Sequence, residues 1–569
     1  MAIFDEKLLA DPEFFKENTI PAHADIKYYR DEEEMKRESS GFLYSMDGMW
    51  KFRWFKTVKE ACPDFYSMDF DCHAWDDIQV PGCIEMQGYG QVTYLNTQYM
   101  WEAREEVEPG EIPTEYNPVG EYVRYFTVPG ELNDRPVCVR FDGVETAMAL
   151  WINGHYVGYS EDSFTPAEFD LTEFIDYKGE NKLSVAVFRF SSASWLEDQD
   201  FFRFTGIFRK VTLFTIPDVH VEDMEVKTEL DAKYQDATLH IALTLSAEGK
   251  IKYELNDPAG GNVLKANKKT GMDVLIDHKI EKPLKWSAEK PYLYDLIIRV
   301  YDKEDNLQEV IAQKVGFRKI EIKAHKLLIN GKRIVFYGAN RHEFSDVVGR
   351  AISEYEIDED LMNMKKNNIN AIRTCHYPNQ SHFYDMCDRL GFYVIDETNL
   401  ETHGTWDAII RGLKPLEYAV PGDREEYLEN VLDRGHNMYM RDKNHPSVLI
   451  WSLGNESYGG KVLKKFHDAF KGWDDTRPIH YEGVVNDTRY PETTDIASNM
   501  YWSVEALKKY LKKNRKKPLI SAEYVHAMGN STGGMKLYTD LMDEDPLYQG
   551  GFVWDYIDQA IRNKDRYGR

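Results

Sequence analysis

Several absences narrow what this chain can be. Its six cysteines, at positions 62, 72, 83, 138, 375 and 387, form no CxxC pair. That excludes a zinc cage or a dense disulfide scaffold and makes reduced thiols in a cytosol the expectation. No apolar run approaches the roughly 20 residues of a membrane helix. The opening MAIFDEKLLADPEFF has neither the basic start nor the apolar core of a signal peptide. Basic residues are outnumbered, 70 against 97 acidic, for a net charge of −27, which argues against nucleic acid or an anionic membrane as partner. A soluble, cytoplasmic protein is expected. What is plentiful is aromatic residues, at 13%, which suits β-sandwich cores first and sugar-stacking sites second. At 569 residues the chain exceeds a single core, and three or four domains are expected.

Residues 1–45 are charged, with the acidic run Asp31 to Glu34, and read as an irregular arm. From 46 to 215 short strands recur between Gly and Pro: GMWKFRWF alternates, and WDDIQVPG and EYVRYFTVPG follow. In ALWINGHYVGY, Asn153-Gly154 lies between two apolar runs, which predicts a hairpin with a type I′ turn. The segment reads as a β-sandwich, a kind of module that often binds sugars. One stretch breaks its rhythm: SWLEDQDFFRFTGIFR, Ser194 to Arg209, holds Glu197, Asp198 and Asp200 between aromatics. The ordinary reading of such a charge run is a solvated loop; its aromatic flanks point to a loop buried against another domain. Ile216-Pro217-Asp218 reads as a linker, and 216–322 alternates again (ATLHIALTLSA, YLYDLIIRVYD), predicting a smaller immunoglobulin-type sandwich without site chemistry.

After Lys323 the pattern becomes strand, helix, strand. Candidate strands are 334–339, 371–375, 392–398, 448–456, 479–483, 495–501, 519–524 and 551–557. Between them lie helical patterns such as 461–471, where Val462, Phe466, Ala469 and Phe470 share a face. Eight strands alternating with helices over 323–569 predict a TIM (β/α)8 barrel. A doubly wound sheet is the alternative, but no Gly-rich phosphate loop follows the first strand. Barrel chemistry sits at the C-terminal strand ends. Those ends carry His342, Arg373 with His376, Glu397 followed by Glu401 and His403, Asn455-Glu456, Tyr501, Glu523 with His526, and Trp554-Asp555. Each has a dull explanation alone, yet polar or aromatic residues crowd one end of the predicted barrel.

The apolar run VLIWS leading to Asn455-Glu456, and LISAEY carrying Glu523, set two glutamates at two strand tips. A carboxylate there is costly to desolvate and needs a partner or a task, and two of them are the minimum equipment for glycoside hydrolysis. Glu401 and His403, two apart on an irregular loop, can face one cation together with Glu456. Oxygen-rich ligation suits magnesium better than zinc, and no HExxH spacing supports the competing zinc hydrolase.

Taken together, NAIRTCHYPN, DETNLETHG, RDKNHPSVLIWSLGNES, AEYVHAMGNS and GGFVWDYIDQ resemble glycoside hydrolase family 2, and within it the bacterial lactose-cleaving β-galactosidases. The resemblance runs from DGMWKFRWF through YLN and LEDQD to the last strand. It implies a jelly-roll, galactose-binding-like first sandwich, a β-galactoside substrate, and retention if the two carboxyls lie about 5 to 5.5 Å apart. Glu456 would be the acid/base with a raised pKa, and Glu523 an ionised nucleophile forming a galactosyl-enzyme. Asn455 would bond the sugar 2-hydroxyl and Tyr501 would orient Glu523. His342 and His376 would stabilise the transition state, with His526 and Trp554 shaping the galactose site. Glu401, His403 and Glu456 match the family's magnesium ligands. Asn96 and Asp200 match residues reaching the barrel mouth, Asp200 serving a sodium ion and the sugar. The chain stops at Asp565 to Arg569, where family members continue with further sequence. The resemblance therefore implies either a C-terminally truncated fragment, its barrel lacking its C-terminal end, or a large subunit whose C-terminal domain or small subunit is supplied separately; an oligomer is expected. β-Glucuronidase is the nearest rival within the family, disfavoured by the LEDQD loop and the ETHG pair. A non-catalytic sugar-binding fragment is the rival of another class.

Overall fold

A computed structural model of the chain describes residues 4–132, 135–527 and 530–562. The terminal stretch Asp565 to Arg569 lies outside the described residues. Strands between Leu43 and Thr215, joined by Lys16–Glu17 at one edge, build two antiparallel sheets of seven and four strands, whose inner faces share one apolar core including Trp50, Tyr122, Leu150, Phe169 and Leu213. The Asn153-Gly154 turn joins Ala147–Ile152 to His155–Ser160 with φ of 50° and 82°, the left-handed pair that a type I′ turn requires and that Asn-Gly tolerates best.

A second sandwich packs sheets of three and five antiparallel strands. In Ala237–Leu245 burial alternates residue by residue, with Leu239, Ile241 and Leu243 turned inward, so the strand period of two places one apolar face in the core. The N-terminal arm is not irregular, as its charge suggested. Lys16–Glu17 pairs with Ser160 and Tyr159 of the first sandwich, and Lys27–Tyr29 adds an edge strand to the second along Val310 to Ala312. Backbone pairing needs no apolar sequence, which is why a charged segment could join two sheets.

The rest is a barrel of eight parallel strands: β1 (Phe336–Arg341), β2 (Ala371–Arg373), β3 (Tyr393–Glu397), β4 (Val448–Ser452), β5 (Ile479–His480), β6 (Ala497–Met500), β7 (Leu519–Tyr524) and β8 (Tyr548–Tyr556). Neighbours pair from β1 to β5 and from β6 to β8, and β8 returns to β1; between the edge strands β5 and β6 the ring is bridged by Asp495 N donating to Ile479 O at 2.8 Å. This is the TIM barrel. Helix Lys461–Trp473 turns Val462, Leu463, Phe466 and Phe470 onto the barrel wall, each worth about 1.5–3 kcal/mol of burial. Gly435 on helix Leu428–Asp442 permits the close approach, since a Cβ there would stand 2.2 Å from the Phe466 ring. Several strands end earlier than their apolar runs suggested. β4 stops at Ser452, four residues before Glu456, and β5 gives way to a 3-10 turn at Glu482–Val485. No helix among the described residues is long and apolar enough to cross a membrane.

Candidate active site

The strand ends converge on one buried cation. Arg373, at the tip of β2, is fully buried and spreads its guanidinium over four acceptors. Nε donates to Glu397 Oε2 at 2.8 Å, Nη1 to Glu523 Oε1 at 2.9 Å and Asn340 Oδ1 at 3.0 Å, and Nη2 to Asn455 Oδ1 at 2.8 Å. Glu523, inside β7, receives its second bond from Tyr501, whose hydroxyl donates to Oε2 at 2.5 Å. The nucleophile candidate is thus held at both oxygens. Burial pushes its pKa above the ordinary value, with Arg373 and His376 working in the opposite direction.

Glu397 ends β3 and anchors the neighbouring imidazole: its Oε1 lies 2.8 Å from His376 Nδ1, and Ser452 donates to Oε2 at 2.8 Å. Although burial would raise it, Arg373 and His376 hold this carboxyl down to about 2. His376 presents Nε2 to Glu523 at 3.8 Å and stacks on Trp554 at 5.3 Å with planes 7° apart. His342 crosses Trp554 edge-on at 5.5 Å, and burial with nearby positive charge keeps it neutral, well below its ordinary pKa. His526 is half-buried beside Tyr501, with ring centroids 5.6 Å apart.

Glu456 stands beyond β4, half-buried, its backbone N–H donating to Glu482 Oε1 at 3.1 Å. His403 Nδ1 lies 2.8 Å from Glu456 Oε2 and 3.5 Å from Glu401 Oε1. A raised pKa was expected for Glu456. Burial acts in that direction, but the imidazole outweighs it and the carboxyl lies below its ordinary value. Between two carboxylates, His403 is pushed up to about 11 despite its burial, and burial with the charge of Glu456 takes Glu401 up to about 8.

Glu401 Oε1 and His403 Nδ1 are buried without an aligned hydrogen bond, although they converge with Glu456 within 4.8 Å. Two carboxylates and one imidazole facing one point offer the oxygen-rich set that suits a hard cation such as magnesium. His403 is not on an irregular loop; it begins helix His403–Ile410. A second convergence, Asp385, Asp388 and His445, carries its own positive charge in Lys27, paired with Asp385.

The LEDQD loop divides its acids. Glu197 and Asp198 are buried against the barrel, Glu197 2.6 Å from Arg434 and Asp198 2.7 Å from Arg203. Asp200 reaches the barrel mouth, near enough for the charges of Glu456 and His403 to act on it. Both its oxygens are engaged, accepting from Tyr94 at 2.5 Å and from Asn96 at 3.1 Å. Each of these oxygens keeps a further lone pair, so the carboxylate can still meet a cation such as sodium.

Sequence reasoning named Arg373 and Glu397 at strand tips without assigning them a task, and passed over Ser452, His480 and Glu482. His480 lies 3.0 Å from the Ser452 hydroxyl, and burial lowers its pKa to about 3. Glu482 is pushed far above its ordinary value by burial and then by Glu456. The available signal was a charged or polar residue inside an apolar strand.

Three family descriptions match the chain: the sugar binding domain of glycosyl hydrolases family 2 over residues 43–217, a second family 2 domain over 219–318, and the family 2 TIM barrel domain over 320–569. A β-galactosidase of Halalkalibacterium halodurans is 48% identical over 99% of this chain and 56% of its own length. One from Streptococcus thermophilus is 46% identical over 97% and 56%, so the chain spans about half the length of these relatives. A β-galactosidase large subunit of Leuconostoc lactis is 42% identical over 97% of this chain and 90% of its own. Among solved structures, a Lactobacillus rhamnosus β-glucuronidase superposes with a TM-score of 0.74 over 92% of both chains at 21% identity, a likeness of fold.

Proposed function

The chain belongs to glycoside hydrolase family 2, and from that premise we propose that it is a retaining β-galactosidase. It would release terminal β-D-galactose from galactosides such as lactose by double displacement. The observation carrying this reading is Glu523, a strand-tip carboxylate gripped at one oxygen by Arg373 and at the other by Tyr501. Two such grips aim a nucleophile and leave it little freedom to stray.

In the first displacement Glu523 attacks the anomeric carbon as the glycosidic C–O bond breaks, and Glu456, acting from its protonated form against the lowering by His403, gives its proton to the leaving oxygen. In the second, Glu456 takes a proton from water, whose oxygen displaces Glu523 and restores the starting state. His376, fixed by Glu397, and His342 face the same space against Trp554. They would bond the sugar as positive charge develops on its ring, while Asn455, His526, Asn96 and Asp200 would position the hydroxyls. Magnesium at Glu401, His403 and Glu456 is part of the proposal: when bound, it supplies the positive charge that balances the clustered carboxylates. No step uses sodium.

The large-subunit relatives support a companion polypeptide in an oligomer. Six unpaired thiols support a cytoplasmic location. Activity is tested with nitrophenyl β-galactoside, β-glucuronide and β-mannoside, followed by trapping with a 2-fluoro galactoside. Galactoside turnover with label on Glu523 is expected. Preference for the glucuronide, or label elsewhere, would refute the assignment.

A further inference from the structure

The acidic loop of the first sandwich does more than lean on the barrel. Leu196 O accepts from Glu401 N at 2.8 Å and Asp198 N donates to Glu401 O at 2.9 Å, a two-rung backbone bridge between domains. The next barrel element is helix His403–Ile410. It begins without a cap of its own: Thr402 makes no side-chain bond to the first turn, and its hydroxyl is buried without a partner. Asp198 fills that place from the other domain, its fully buried carboxylate accepting from Gly404 N at 2.8 Å through Oδ2 and from Arg203 at 2.7 Å through Oδ1. A carboxylate satisfying first-turn N–H groups stabilises a helix start and suits its dipole. The approach is tight, since a Cβ on residue 404 would stand 3.1 Å from Asp198 Oδ2 and 2.7 Å from the Tyr99 ring. On its far side the His403 ring meets Trp406, centroids 4.5 Å apart.

We propose that Asp198 is a positioning residue for the cation site: it caps the helix that His403 begins, across the domain boundary, and with the paired backbone of residues 196–198 holds His403 and Glu401 in one ligating arrangement. The inference rests on the magnesium reading above and extends it to a residue that touches neither the cation nor the substrate. Its neighbour Glu197 serves the same docking from the other side, pairing with Arg434 and accepting from Asn399 at 2.7 Å. The loop's three acids thereby acquire separate tasks, two in docking and one, Asp200, at the mouth.

The test is calorimetric titration of the chelator-stripped chain with MgCl2, for the parent, Asp198→Ala, Asp198→Asn and His403→Ala, with turnover measured against Mg2+ concentration. Loss of a residue that orients a ligand costs about 10- to 100-fold in metal affinity. Asp198→Ala should weaken Mg2+ by that factor, with kcat recovered at proportionally higher Mg2+, which a merely structural defect would not show. Asp198→Asn should recover much of the affinity, because its amide oxygen can still accept from Gly404. Parental Mg2+ affinity in Asp198→Ala, with affinity lost in His403→Ala, would overturn the inference and leave the metal reading intact. A parent chain that binds no Mg2+ would overturn the metal reading itself and this inference with it. If Asp198→Ala does not fold, Gly404→Ala, which forces the helix start away from the carboxylate, takes its place, and unchanged Mg2+ affinity there overturns the proposal.

Discussion

Arg373→Lys tests whether one cation organises the site. In the parent, three nitrogens of one planar group reach Glu397, Glu523, Asn455 and Asn340 at 2.8–3.0 Å. Lysine keeps the charge but gathers its donors on one atom, so it cannot span carboxylates lying on opposite sides of the guanidinium. The better-fixed partner is Glu397, also held by His376 and Ser452, so the introduced ammonium should stay with Glu397 and release Glu523. A hydrogen bond to a charged group is worth about 1.5–3 kcal/mol net. At 1.36 kcal/mol per tenfold, losing the Glu523 bond corresponds to roughly 10- to 150-fold in kcat/KM. The fall should sit mainly in kcat, because the aim of the nucleophile matters in the bond-making step more than in binding. The assay is steady-state hydrolysis of nitrophenyl β-galactoside, with circular dichroism to verify folding. A folded Arg373→Lys enzyme with kcat/KM within threefold of the parent would refute the claim that Arg373 aims Glu523.

Three further outcomes are expected. Glu523→Gln should leave only background turnover on every galactoside, whereas Glu456→Gln should slow lactose by about 10²–10⁴-fold yet release the first equivalent of dinitrophenol at near-parental rate; equal loss on both substrates would undo the assignment of roles. Dialysis against chelator should lower galactoside turnover and added Mg2+ should restore it, with His403→Ala insensitive to either; a parent indifferent to chelator would dismiss magnesium from these ligands. His445, 2.7 Å from Asp388, is raised to about 9 by that carboxylate despite its burial. Its folded pKa lies above the unfolded value of about 6.5, so its stabilisation is complete below that value and is lost as pH rises through about 9, at most roughly 3 kcal/mol. Urea midpoints of the parent and His445→Gln should therefore converge between pH 6 and pH 9.5, and a gap that widened with pH would contradict the sign.

Where one face of an element dominates, the pattern was legible. The buried run Val448–Ser452 and the helix carrying Val462, Phe466 and Phe470 stand where periodicity put them, because burial of those faces outweighs other preferences. Strand ends were harder to read, since they depend on long-range backbone partners. Past Ser452 the chain turns at Gly454, where φ is 137° and a Cβ would meet Leu400 O at 2.6 Å, and Asn455 N then pairs with Leu400 O at 2.9 Å. Nothing local to LGNES states that its pairing partner is Leu400, so the apolar run alone extended the strand to Glu456. The N-terminal arm escaped for the same reason, its pairing made through backbone groups that carry no sequence signature.

The chemistry at the strand ends was legible as residue types, whereas the pairing that makes it work was not. The aromatic flanks of the LEDQD loop pointed to its burial, yet nothing near Glu197 in sequence names the cation beside it, Arg434, which is 237 positions away. Burial of a charge without a partner is costly enough that each carboxylate at these tips implies a cation or donor nearby. The converse is readable in one place. Ala371-Ile372-Arg373 sets a guanidinium at the end of a short apolar strand, where a solvated arginine has no business. Such a residue must find anions among the other strand tips, and Glu397 and Glu523 are the ones it finds. An arginine inside an apolar strand therefore points to the centre of the site as directly as the glutamates do, because it can bind several of them at once.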